Sequence, residues 1–93
     1  MPDPIFRVGV LGATGFIGSP YRAEIRECEE AQVVAICARR EDLLAQAAEE
    51  DGAELTTTDW RRVVEHPGVN FVIVATPDAL HHEAVLACAA GGK

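Results

Sequence analysis

Apolar residues arrive along this chain in short dense runs, separated by longer stretches in which they recur every three or four positions. "IFRVGVL" (Ile5 to Leu11) is short, rich in β-branched residues and broken by glycine, the pattern of a strand covered on both faces. From Phe16 to about Glu30, Ile17, Tyr21, Ile25 and Cys28 fall on one face of a helix. Pro20 comes so early that the opening turn is expected to be irregular, because past the first turn proline loses a backbone bond and clashes with the turn before it. A second strand, Ala31 to Ala38, precedes a helix with Leu44, Ala47 and Ala48 inward and Gly52 near its end. "AELTT" predicts a short edge strand. Asp59 is placed to cap a brief helix, "WRRVVEH", which Pro67 and Gly68 close. "NFVIVAT" (Asn70 to Thr76) is the most apolar strand, and after Pro77 a last helix runs from Asp78 to about Ala90 with Leu80, Ala84, Ala87 and Cys88 on one stripe.

Strands alternating with helices at this spacing predict βαβ units, hence a parallel sheet with helices over its faces. Right-handed crossovers then leave the order 3-2-1-4. The expected fold is α/β, a Rossmann-type doubly wound parallel sheet cut to about four strands, with residues 1–93 forming one dinucleotide-binding domain. Its ligand crevice would lie between strands 1 and 4, at their carboxyl ends.

The chemistry concentrates where the first strand meets the first helix. Gly12, Gly15 and Gly18 recur at three-residue intervals, one residue looser than the G-x-G-x-x-G of many dinucleotide folds. Such a corner needs a tight turn, main chain bare enough for a pyrophosphate to touch, and close helix-to-strand packing, while the helix aims its free N–H groups at the anion. Gly12, Ala13, Thr14, Gly15, Phe16 and Ile17 are the residues expected to wrap the pyrophosphate.

The end of the second strand bears on which dinucleotide is bound. An acidic residue there normally accepts hydrogen bonds from the adenosine ribose of NAD. Here Ala38 takes that place and Arg39 and Arg40 follow. Without the carboxylate nothing repels a 2′-phosphate, and a guanidinium grips one through paired charge-assisted bonds. NADP(H) is therefore preferred and NAD(H) kept open, since Glu41 or Asp42 could still reach a ribose.

Composition narrows the partners. Fifteen acidic residues against eight basic ones give a net charge of −7, which argues against nucleic acid. No apolar run is long enough for a membrane span, and "MPDPIFRVGV" lacks the pattern of a secretory signal, so a cytoplasmic protein is expected. Cys28, Cys37 and Cys88 have no metal-ligand spacing and make an odd count; all three are expected to be reduced packing residues, and no metal site is expected. Lys93 is the only lysine.

"ATPDALHHEAVLACAAGGK" resembles the N-terminal domain of the Gfo/Idh/MocA oxidoreductases, the glucose-fructose oxidoreductase and inositol dehydrogenase family. There a strand ends in Ala-Thr-Pro, a His follows, and a helix ends in Ala-Gly-Lys; the matching positions are Ala75, Thr76 and Pro77, then His81, then Gly91, Gly92 and Lys93. "DWRRVVEHPGVNFVIVATP" resembles the family's run into this strand, whereas "GATGFIG" is closer to the corner of extended short-chain dehydrogenases. The resemblance implies that Thr76, Pro77 and His81 flank the ribose and nicotinamide; His82 and His66 are expected at the surface. It implies hydride transfer between nicotinamide and a sugar, polyol or related hydroxy compound in the complete enzyme. The family's Glu-Lys-Pro strand and C-terminal domain do not occur in these residues, and Lys93 matches the Gly-Lys before that strand, so no catalytic residue is assigned. A stand-alone nucleotide-binding, regulatory or oligomerisation module is the alternative. The apolar fourth strand, at the sheet's edge, predicts a homo-oligomer formed through that edge or through helices.

Overall fold

The computed structural model describes residues 5–15, 18–76 and 78–93. Phe16, Ile17 and Pro77, all expected cofactor contacts, lie outside the described residues, as does the side chain of Leu80. The elements follow the order β1 (Phe6–Leu11), α1 (Gly18–Arg26), β2 (Ala31–Cys37), α2 (Glu41–Asp51), β3 (Leu55–Thr57), α3 (Trp60–Glu65), β4 (Phe71–Val74) and α4 (Asp78–Ala90). All pairings are parallel and the sheet order is β3-β2-β1-β4, as the alternation predicts.

Each face of the sheet has its own core. Val8 and Val10 of β1 and Val33 and Ile36 of β2 pack with Leu44 and Ala47 of α2 and with Ile25 of α1. On the other face Leu11, Val34, Ala35 and Cys37 pack with Val63 of α3 and Ala84 of α4. A register shift between Val8 and Gly9 lets the adjacent Val34 and Ala35 serve the same face. Gly9 is required by the helix above it: a Cβ there would lie 2.5 Å from a Val63 methyl.

Local rules account for several boundaries. Asp59 accepts a hydrogen bond from the Arg61 amide at 3.1 Å and starts α3, while Gly52, at φ +66°, ends α2 in the left-handed conformation that glycine adopts freely. Pro20 falls inside the first turn of α1, where its missing N–H is not needed, so the expected irregularity does not occur.

The inward face of α1 differs from the expected one. Tyr21 is exposed and Arg22 is buried in its place. A guanidinium that finds acceptors on its inner side can be buried where periodicity alone favours the aromatic ring. Cys28, beyond the end of the helix, is exposed rather than packed; only Cys37 and Cys88 are buried. His82 is exposed as expected, but His66 is half-buried, with Nδ1 accepting the Gly68 amide at 2.9 Å.

Candidate functional site

The carboxyl ends of the strands converge on a cleft of about 280 Å³. Gly12, Thr14 and Gly15 form the wall after β1; Cys37, Ala38, Arg39 and Arg40 the wall after β2; Thr58 and Trp60 the wall after β3; Ala75 and Thr76 the wall after β4. A larger groove, about 560 Å³, runs between α3 and α4 past Trp60, Val64, Ala87 and Lys93. Volume favours the groove, but open parallel sheets bind ligands at the carboxyl ends, beside the strand where the order reverses. Only the smaller cleft stands there.

The three glycines of the corner answer to different demands. Gly12 has φ +79°, and a Cβ on it would come within 2.5 Å of the Ala75 carbonyl oxygen, so it is needed both for its turn and for the approach of β4. At Gly18 a Cβ would collide with the Gly12 carbonyl oxygen, which fixes the contact between α1 and the loop. Gly15 is exposed, has no positive φ, and among the described residues a Cβ there would meet only the Gly12 oxygen at 3.3 Å. Folding thus requires two of the glycines and leaves the third as bare main chain on the cleft wall.

The corner's amides are divided in the same way. Those of Gly12 and Ala13 both bond the Cys37 carbonyl at 2.9 Å, and that of Gly15 bonds Gly12 at 3.1 Å. Among the described residues the Thr14 amide has no acceptor. The first turn of α1 carries no acidic residue, whereas α2 opens with Glu41 and Asp42. An anion is therefore favoured at α1 and opposed at α2.

Beneath the corner lies a cluster that periodicity did not disclose. Arg22, 5% exposed, donates from Nε to the Ala13 carbonyl at 2.8 Å and from Nη1 to Asp51 Oδ2 at 2.9 Å. The Asp51 side chain is fully buried and is also held by Arg26. Asp51 ends α2 twenty-nine residues away in sequence from Arg22, so no local pattern could have paired them.

At the end of β2 the two arginines differ. Arg40 holds the Asp42 carboxylate at 2.8 Å, and this bond keeps the Asp42 carboxyl below its ordinary range. Arg39 is exposed on the cleft wall and forms no ion pair among the described residues. Across the cleft, Thr76 Oγ1 is buried without a hydrogen-bond partner among the described residues, and so is His81 Nε2 at the start of α4. Two orphaned polar atoms at one strand-to-helix junction mark a place where a polar ligand restores lost hydrogen bonds.

Gly12, Thr14, Gly15, Arg39, Arg40 and Thr76 thus come together on one cleft. Ala13 does not border it: its side chain is packed in the core below, and only its peptide groups face the loop's hydrogen bonds. His81 is not on the cleft wall either. Thr58 and Trp60 are on the wall but were not expected; their place just after β3, at the same end as the glycines, was the available signal.

Residues 6–93 match the model of a family described as "Oxidoreductase family, NAD-binding Rossmann fold", the Gfo/Idh/MocA group. Myo-inositol 2-dehydrogenase of Thermotoga maritima is 34% identical over 87 residues, covering 94% of this chain and 26% of that enzyme. Among solved structures, scyllo-inositol dehydrogenase of Lactobacillus casei with bound NAD(H) and scyllo-inositol superimposes with a TM-score of 0.88 at 23% identity, over 98% of this chain and 26% of that one. Biliverdin reductase of Synechocystis in complex with biliverdin and NADP+ gives a TM-score of 0.84 at 26% identity, over 98% of this chain and 28% of that one. The chain spans about a quarter of the length of each. Strand order, glycine corner and family match agree, and the chain belongs to the Gfo/Idh/MocA oxidoreductases as their NAD-binding Rossmann domain.

Proposed function

We propose that these residues form the cofactor-holding part of an NADP(H)-preferring oxidoreductase acting on a sugar, polyol or related hydroxy compound. The observation that carries the cofactor preference is Arg39: a guanidinium on the cleft wall without an ion pair among the described residues, beside Ala38 where an NAD-selective site would place a carboxylate. Arg40 adds less, because Asp42 already occupies it. Both nicotinamide cofactors occur among the structural neighbours, NAD(H) in the inositol dehydrogenase and NADP+ in the biliverdin reductase. The substrate class follows the inositol dehydrogenase relatives.

When bound, the nicotinamide supplies or accepts the hydride. The chain's own residues bind and orient it. The Thr14 amide and the N-terminus of α1 would take the diphosphate and bare main chain at Gly15 would let it approach; Phe16 and Ile17 are proposed contacts by their place in the sequence alone. Thr76 Oγ1 and His81 Nε2 would offer polar groups on the nicotinamide side, and Pro77 is a proposed neighbour by its place in the sequence alone.

The edge of the sheet supports self-association. Among the described residues β4 pairs only with β1, and Phe6 and Phe71 stack edge-to-face with centroids 5.8 Å apart while each stays more than 40% exposed. A second copy would cover this surface. The thiols are free, consistent with the reducing cytoplasm as the working compartment.

Trp60 is the only tryptophan and borders the cleft, so its fluorescence reports binding directly. Titration is expected to show tighter binding of NADPH than of NADH, with Arg39→Ala removing about tenfold of the NADPH affinity, as the loss of a charge-assisted contact implies. Arg40→Ala should cost less. Equal affinities for the two cofactors, unmoved by either substitution, would defeat the NADP(H) preference. No response to either cofactor would defeat the cofactor-binding reading itself.

A further inference from the structure

We propose that Arg22 is a positioning residue for the diphosphate loop, acting through the Ala13–Thr14 peptide group; the proposal rests on the cofactor reading above. The carbonyl that Arg22 Nε engages at 2.8 Å and the amide that has no acceptor among the described residues belong to one peptide unit. That unit is trans and planar, so its C=O and N–H point in opposite directions. Fixing the Ala13 oxygen toward the buried guanidinium therefore turns the Thr14 N–H away from it. Thr14 lies on the cleft wall.

The bond also changes the amide's strength. A cation on a carbonyl oxygen polarises the peptide and makes its N–H a better donor, the more so in a poorly hydrated site. Ser19 Oγ donates to the same oxygen at 3.4 Å and adds to the effect. Asp51 keeps the arrangement in place. Its buried carboxylate neutralises the guanidinium and ties it to the end of α2, so Arg22 cannot turn outward to meet the ligand and displace the loop. The lever thus runs from α2 through Arg22 to a single amide at the anion site.

The test compares ligands that differ in the diphosphate. ADP and adenosine are titrated against the wild-type chain, Arg22→Lys and Arg22→Met, with Trp60 fluorescence as readout and thermal melts alongside. Arg22→Met is expected to weaken ADP by about tenfold and leave adenosine unchanged, the size of one charge-assisted hydrogen bond. Arg22→Lys, which can still donate to the Ala13 oxygen, should recover part of the loss. Equal weakening of both ligands, or no change in ADP, overturns the proposal.

A second readout needs no ligand and survives if Arg22→Met fails to fold. In the free protein the Ala13 carbonyl carbon resonance should move in Arg22→Lys toward the value of a carbonyl with a weaker donor, and the Thr14 amide proton should move with it. Unchanged resonances sink the proposal. A wild-type chain that binds neither ADP nor a dinucleotide, with these resonances shifting as expected, would fault the cofactor reading and leave the lever standing.

Discussion

The two sides of β1 are built to different standards. Toward β2 the sheet is closed: residues 33–38 are all buried, Ile36 and Ala35 completely, and even the guanidinium of Arg22 and the carboxylate of Asp51 are buried and bonded. Toward β4 it is open. Phe71 is 46% exposed, Val72 to Val74 are only half-buried, and the junction beyond them holds the orphaned Thr76 Oγ1 and His81 Nε2. Among the described residues, stability accordingly comes mainly from the β2 side, while the unmet hydrogen bonds and the exposed apolar surface lie on the β4 side. The glycine corner stands between them, its Gly18 answering to packing and its Gly15 to the cleft.

The sharpest way to break this contrast is at those two glycines. Gly18→Ala drives a methyl into the Gly12 carbonyl and should cost about 3 kcal/mol or more, enough to lower the melting temperature steeply. Gly15→Ala should cost only about 1 kcal/mol or less, because among the described residues its methyl would press on nothing but the Gly12 carbonyl oxygen at 3.3 Å, yet it should weaken dinucleotide binding measured on the folded protein. Equal melting temperatures for the two variants would show that both glycines serve the same purpose.

A gentler comparison removes the same atoms from each side of the sheet. Ile36→Ala, on β2 with no exposure, should destabilise by about 3–4 kcal/mol in denaturant unfolding. Ile73→Ala, on β4 and half-buried, should cost about 1–2 kcal/mol because part of that side chain already meets water. A larger loss at Ile73 than at Ile36 would mean that a partner covers β4 in solution, and sedimentation would detect it.

Much of this organisation was legible in the sequence because it is local. Strand and helix runs, the Asp59 cap, the Gly52 stop and the glycine corner each depend on residues a few positions apart, and all appear in the structure. Arg22 was not legible, since its burial depends on Asp51 across two elements and on a carbonyl whose direction no pattern encodes. Nor was the difference between Arg39 and Arg40: adjacent in sequence, they part because only Arg40 lies at the head of α2 within reach of Asp42. Trp60 escaped notice because the same residue looks like ordinary helix packing until β3 is seen to end beside the glycines.

The smallest effect lies in the titration of Cys37, and near neutral pH it is nil. Burial, reinforced by the Asp59 carboxylate, pushes this thiol from 9.0 to about 11. The folded chain therefore holds a proton that the unfolded chain releases as pH rises past 9, so the stabilisation is complete below that point and is lost as pH climbs toward 11. Unfolding free energies of the wild-type chain and Cys37→Ala should differ by a constant amount from pH 7 to about 8.5 and then converge. Cys88, also raised by burial, has the Lys93 ammonium pulling the other way, so the corresponding alanine variant isolates the β4 side. Parallel curves for wild type and Cys37→Ala across the whole range would mean that water reaches the end of β2, and the β2 side would then be no more closed than the edge it is set against.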